Sequence, residues 1–214
     1  MRAFARLQPA RLRRLCVDQR LLSGSSDADA DVVVCGAGVA GVACAHYLAV
    51  RGARVTLLDE RPALSYTSAL STECYRNWWG GDPTMTAFMD RSIDLLEQHA
   101  IASGNRFAMN RRGYAFLSAT EEGAARHAAL ARAAGGRVHT DGGHGLRYDP
   151  SLPFDAPGCG VQVFSGAEAT RGFWQGLRPF VGDGVRSVLF AGRCGWMNAQ
   201  QMGATLLDAA RGEA

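Results

Sequence analysis

Three glycines set between a β-branched run and an alanine-rich segment constrain this chain more than any other feature. Residues 31–62 read DVVVCGAGVAGVACAHYLAVRGARVTLLDERP. Val32, Val33, Val34 and Cys35 form the short apolar run expected of a buried parallel strand. Gly36-x-Gly38-x-x-Gly41 follows at once, Ala45 and Leu48 continue a helical face, and Gly52 stands where the helix should end. A second apolar run, Val55 to Leu58, closes on Asp59, 23 positions after Gly36. Each position has a physical reason. Gly36 permits a tight turn out of the strand, Gly38 lets a diphosphate approach the backbone, and Gly41 with Ala45 lets helix and strand pack closely. The backbone N–H groups at the helix start, from Val39, Ala40 and Gly41, face the diphosphate with the positive end of the helix dipole. Asp59 can accept hydrogen bonds from ribose hydroxyls, and its charge disfavours a 2′-phosphate. Strand, turn, helix, second strand and acid in this order predict a Rossmann-like βαβ unit that binds a dinucleotide, FAD or NAD.

The run that follows, DERPALSYTSALSTECYRNWWGGDP, resembles the D-amino-acid-oxidase-like superfamily of FAD-dependent oxidoreductases. STECYRNWW, RSIDLLEQHA, NRFAMNRRGYAFL and GWMNAQQMGATLLDAAR are similar to a bacterial and mitochondrial branch that includes proteins linked to assembly of respiratory complex I. The resemblance covers residues 31–212. It implies FAD as cofactor, with Gly36, Gly38 and Gly41 on the diphosphate and Asp59 on the ribose. Glu60 and Arg61 are then expected near the adenosine, and Ser68, Ser71, Thr72 and Arg76 toward the flavin. Hydroxyls and an arginine suit that place chemically, because they donate to diphosphate oxygens or to the electron-rich edge of reduced flavin. The resemblance further implies a small amine or amino-acid substrate oxidised at a C–N bond. The alternatives are a non-enzymatic FAD-binding assembly factor and an inactive fragment. Arg76 and Arg112 are candidates for a substrate carboxylate. No catalytic residue is nominated.

Charge and composition narrow the field. All 23 basic residues are arginine. The absence of lysine excludes a Walker A loop, a pyridoxal Schiff base and a kinase-type lysine. Residues 1–26 hold six arginines against one acid, Asp18, while the rest of the chain is slightly acidic. A nucleic-acid-binding domain would carry its basic stripe on the folded part, so none is expected. The Arg-rich, acid-poor leader, with Phe4, Leu7, Leu12 and Leu15 at helical spacing, reads as a mitochondrial transit peptide, with plastid or cytoplasmic locations as alternatives. No run approaches the roughly 20 apolar residues of a membrane span. The six cysteines lack C-x-x-C pairs and are expected to be mostly buried thiols, and the histidines, including His139 and His144, lack metal-site spacing.

The remaining chain is expected to give a helix from Asp82-Pro83 to about Gly104, with Met85, Phe88, Met89, Leu96 and Ala100 inward. A hairpin is expected from 106–109 and 113–118, a helix from Thr120 to about Ala134, and a loop over 135–160 in which DGGHG at 141–145 is a turn. Short apolar strands at 161–164 and 188–191 and a last helix capped by Asn198 complete the pattern; Trp78 and Trp79 read as packing. The expected organisation is a transit peptide at 1–26, an FAD-binding βαβ unit and flavin loop at 27–82, and part of an α+β substrate domain with a return helix at 83–212. The fold class is α/β. Members of the resembled family are about twice as long, so a truncated form is expected. Two strands alone would leave sheet edges open, and a complementing chain or respiratory-chain assembly partner would be needed.

Overall fold

The computed structural model describes residues 13–17, 31–80, 82–142, 160–174 and 182–212. The chain divides into two units, one made of residues 1–73 and 198–214 and the other of residues 74–197. The boundary expected at 82 therefore moves to 73, because Tyr75 and Trp78 are buried with the second unit's strands rather than with the glycine turn.

The first unit is the predicted βαβ. Strand β2 (Asp31–Cys35) runs parallel to β3 (Arg54–Asp59), with Val32 beside Val55 and Val34 beside Leu57. Helix α1 (Val39–Val50) connects them. Its residues Val42, Ala45 and Ala49 are buried, as are Val55 and Leu57 of β3. The opposite face of the sheet is open: Val33 is 57% exposed. The return helix α5 (Ala199–Arg211) packs on α1 and belongs to this unit, starting where Asn198 Oδ1 accepts from Gln201 N–H at 2.8 Å. Buried His46 of α1 bonds the Leu206 carbonyl of α5 through Nδ1 at 3.0 Å. A carbonyl only accepts, so Nδ1 carries the proton.

Two expectations at the N-terminus change. Residues 13–17, expected within a helical pattern, form strand β1 (Arg13–Val17), antiparallel to β3 with Leu15 opposite Leu57. The open edge of β3 supplies backbone partners that outweigh a local helical spacing. For the same reason β3 has no open edge; the sheet order is β1-β3-β2, and the far edge of β2 has no partner among the described residues. The rest of the expected transit peptide lies outside the described residues, as do His144 and most of 141–145.

The second unit is built on β8 (Ser187–Ala191), buried along nearly its whole length. It lies between β5 (Tyr114–Ser118) and β7 (Val161–Ser165), antiparallel to both, and β6 (Arg137–His139) extends the sheet parallel to β7. Leu189 and Ala191 join Val163, Trp78 and Ala131 of helix α3 (Glu121–Ala133) in one core, while Val188 joins Phe164 and, from helix α4 (Ala167–Phe173), Ala169 and Phe173 in another. An apolar run without alternation is what a strand covered on both faces requires. Strand β5 therefore pairs with β8 and not with 106–109, and the expected hairpin is absent. The loop expected over 135–160 contains β6.

Helix α2 (Pro83–Ala102) starts as expected, with Asp82 accepting from Thr84 and Met85 N–H. Its inner face holds buried Ile93 and Ala100; Phe88, expected inside, is 65% exposed, about 140° round the helix from Ile93. Its carboxylates Asp90, Asp94 and Glu97 all meet Arg193, and Glu97 also meets Arg111. Strands β4 (Cys74–Arg76) and β9 (Cys194–Trp196) form a two-stranded antiparallel pair. Of the described cysteines, Cys35, Cys44 and Cys74 are exposed and only Cys194 is buried, contrary to expectation. No described helix is long and apolar enough to cross a membrane.

Two outcomes follow for the first unit. Of two adjacent strand residues, one directs its N–H at the neighbouring strand. Either Leu15→Pro or Cys16→Pro should therefore raise hydrogen exchange of β3 amides about tenfold; no change in both variants would mean that β1 does not pair. Burial lowers the His46 pKa, against the weaker raising effect of its bond to Leu206. A lowered folded value gives stability that is present above the unfolded pKa and lost as pH falls. The thermal midpoint should drop between about pH 7.5 and about pH 5.5, and His46→Gln should reduce that drop.

Candidate nucleotide site

The site begins with a turn too tight for side chains. Gly36 has φ 104°, a region that L-residues rarely adopt. A Cβ on Gly41 would lie 1.8 Å from the Gly36 carbonyl oxygen, so α1 comes against the end of β2 only because Gly41 has none. Gly38 is different. Its Cβ would meet only Ser68 Oγ, at 3.6 Å, so packing within the described protein does not require glycine there.

Helix α1 begins with the bond from Val42 N–H to the Gly38 carbonyl at 2.9 Å. The N–H groups before it have no place in the helical ladder. Val39 N–H goes to Ser68 Oγ at 3.0 Å, while those of Ala40 and Gly41 have no partner among the described residues. Asp59, at the end of β3, accepts from Ala37 N–H at 2.6 Å through Oδ2 and from Arg61 N–H at 2.8 Å through Oδ1. Those two donors, Ala37 first, hold its carboxyl below the usual carboxylate range. Arg61 pairs with Glu60 at 2.9 Å and lies over the Tyr66 ring at 4.2 Å.

A cavity of about 170 Å³ lies over this turn, lined by Ala37, Gly38, Asp59, Arg61, Tyr66 and Ser68, among others. A site for a whole drug-sized ligand is about 300–1,000 Å³, so this one fits part of a dinucleotide. The lining offers a carboxylate for ribose hydroxyls and an aromatic ring beside a guanidinium; the orphan N–H groups of Ala40 and Gly41, which suit phosphate oxygens, follow Gly38 on the same turn.

The expected residues Gly36, Gly38, Val39, Ala40, Gly41, Asp59, Arg61 and Ser68 thus converge on one turn, with Glu60 beside them. Ser68, expected toward the flavin, stands against the start of α1. Ser71 accepts from Glu73 N–H at 3.0 Å within its own loop, and Thr72 is exposed in the same loop. Arg76 belongs to the second unit, where it lies 4.3 Å from the Trp79 ring and 6.0 Å from that of Tyr114. No carboxylate pairs with it among the described residues. Burial, then the Cys74 thiol, push the Tyr114 phenol up to about 12, so it stays a neutral hydroxyl. Arg112 is exposed. Sequence reasoning missed Tyr66, whose only signal is an aromatic five positions after Arg61, and Leu64. Leu64 takes φ 62° and donates its N–H to the Ala37 carbonyl at 2.8 Å, a contact with no side-chain signature. Among the described residues no group of three His, Cys, Asp or Glu could hold a metal ion.

The fold has counterparts among known structures. The chain superposes on L-proline dehydrogenase from P. horikoshii with a TM-score of 0.64 and 19% identity, covering 86% of this chain and 42% of that one. Glycine oxidase from Bacillus cereus matches with a TM-score of 0.59 and 15% identity, over 84% and 44%. L-Amino acid deaminase from Proteus myxofaciens, solved with anthranilate, matches with a TM-score of 0.62 and 17% identity, over 94% and 41%. At these identities the likeness is one of fold, and the chain spans less than half the length of these structures. No curated protein sequence matches it. The family model described as "FAD dependent oxidoreductase" (DAO) matches residues 31–213. A match that runs from the first residue of β2 past the end of α5 makes this chain a member of the DAO family of FAD-dependent oxidoreductases, with FAD as its cofactor.

Proposed function

We propose that this chain holds FAD for oxidation of a C–N bond in an amino acid or N-methyl amine, and that its residues Gly36 to Gly41, Asp59 and Ser68 grip the adenosine diphosphate half. The observation that carries the reading is the turn: the Asp59 carboxylate and the Gly38 backbone border one cavity, and the next residues, Ala40 and Gly41, start α1 with N–H groups that have no partner among the described residues. When bound, FAD supplies a two-electron acceptor for hydride from the carbon next to nitrogen; the amine proton leaves to solvent and the resulting imine is hydrolysed. Ala40 and Gly41 N–H groups meet the diphosphate charge, Asp59 accepts from the ribose, and Arg61 with Tyr66 borders the adenosine. The similar structures support the substrate class, being an L-proline dehydrogenase, a glycine oxidase and an L-amino acid deaminase. Arg76, whose guanidinium lies on an aromatic ring and meets no carboxylate among the described residues, suits a substrate carboxylate. The basic, acid-poor N-terminus supports a mitochondrial location.

A second reading has its own observation. The edge of β2, which has no partner among the described residues, and the exposed Val33 and Cys35 on one of its faces favour a complementing chain, and with it an FAD-binding assembly role rather than turnover.

The purified protein should retain yellow flavin, and Gly41→Ala should lose it, because the added methyl meets backbone. Bleaching of that colour by an amino acid or N-methyl amine under exclusion of air supports the oxidase; retained colour that no amine bleaches supports the scaffold. A complementing chain predicts that the protein alone aggregates or unfolds without a cooperative transition. A monodisperse monomer with a sharp transition overturns that second reading.

A further inference from the structure

The Asp59 carboxylate does more than face a ribose. Its Oδ2 takes Ala37 N–H and its Oδ1 takes Arg61 N–H, yet two oxygens offer about four acceptor directions, so ribose hydroxyls can still bind. Ala37 is 1% exposed, and its own carbonyl is held by Leu64 N–H. Both peptide units that meet at Ala37 are thereby fixed. A peptide is planar and trans, so its N–H and C=O point in opposite directions. With Ala37 N–H drawn to Asp59, the Gly36 carbonyl is sent the other way, which is where Gly41 closes on it. With the Ala37 carbonyl drawn to Leu64, Gly38 N–H is turned away from Leu64. Leu64 sits in the left-handed region to deliver that N–H, a conformation a leucine adopts only when its surroundings impose it.

We propose that Asp59 is a positioning residue for the diphosphate turn: it latches the Ala37 peptide before any cofactor arrives, and so sets the donors that meet the diphosphate as well as accepting from the ribose. The two N–H bonds that hold its carboxyl below the usual range are consistent with a charge committed to the backbone. The proposal rests on the reading of this turn as the FAD site, but its first test does not.

In the unliganded protein, Asp59→Ala should raise hydrogen exchange at the Ala37 and Arg61 amides about tenfold or more. Amides inside α1, at Ala45 and Ala49, should keep their protection. Asp59→Asn retains one acceptor oxygen and should release one of the two amides. Unchanged exchange at Ala37 overturns the latch; so does unfolding of both variants, because a latch on one turn does not hold up the fold. The second arm titrates FAD and an FAD analogue lacking both adenosine ribose hydroxyls, read by flavin fluorescence. If Asp59 acts through the ribose alone, wild type and Asp59→Ala bind the analogue equally. The latch predicts that Asp59→Ala binds the analogue at least about tenfold more weakly than wild type does. Failure of wild type to bind FAD would overturn the proposed function and leave the exchange result to decide the latch.

Discussion

The contact between the Gly36 carbonyl and the bare Cα of Gly41 is the constraint on which the first unit depends. It sets how closely α1 approaches the end of β2 and hence where the helix N-terminus points. With α1 in place, Ala45 and Ala49 can be buried and α5 can lie along it, fastened by His46 to the Leu206 carbonyl. Leu64, whose N–H holds the turn, also places its side chain under α5: a Cβ on Gly203 would lie 2.4 Å from a Leu64 methyl. The same loop thus ties the phosphate turn to the return helix.

The second unit solves a different problem. Its central strand is apolar on both faces, so it must be covered twice, by α3 on one side and α4 on the other. Its charges gather on α2, where Asp90, Asp94 and Glu97 recur at helical spacing and Arg193 draws all three together. Exposed ion pairs contribute little, about 0–1 kcal/mol each. Here Arg193 and Glu97 are mostly shielded, at 25% and 15% side-chain exposure, and several charges share one guanidinium. Removing Arg193 would leave Asp90 and Asp94 without their guanidinium and Glu97 with Arg111 alone, a larger cost than the loss of any one pair.

What was legible in the sequence was local. The glycine turn, and the caps at Asp82, Thr120 and Asn198, each depend on residues within a few positions, and the structure has them as read. The return helix was legible too, through its apolar spacing. What escaped depends on partners far along the chain. Nothing near residues 13–17 says that the edge of β3 is open to them. Residues 106–109 alternate like a strand, but β8, some eighty residues later, takes β5 instead. Phe88 belongs to the apolar spacing of α2, but the buried line runs through Ile93 and Ala100, which shows only once α2 has neighbours. At the site, Asp59 was legible as an acceptor, whereas its bond to Ala37 was not, because a backbone N–H has the same signature at every residue.

Cys35 lies on the open face of β2, one residue before the phosphate turn, and its thiol is exposed. The chain therefore carries its own reporter. Any polypeptide that comes to cover that face shields the thiol from a small alkylating reagent, while Cys44, on the outside of α1, provides an internal reference for the rate. The ratio of the two labelling rates measures coverage of the sheet in a mixture, without purification of the partner and without any flavin signal.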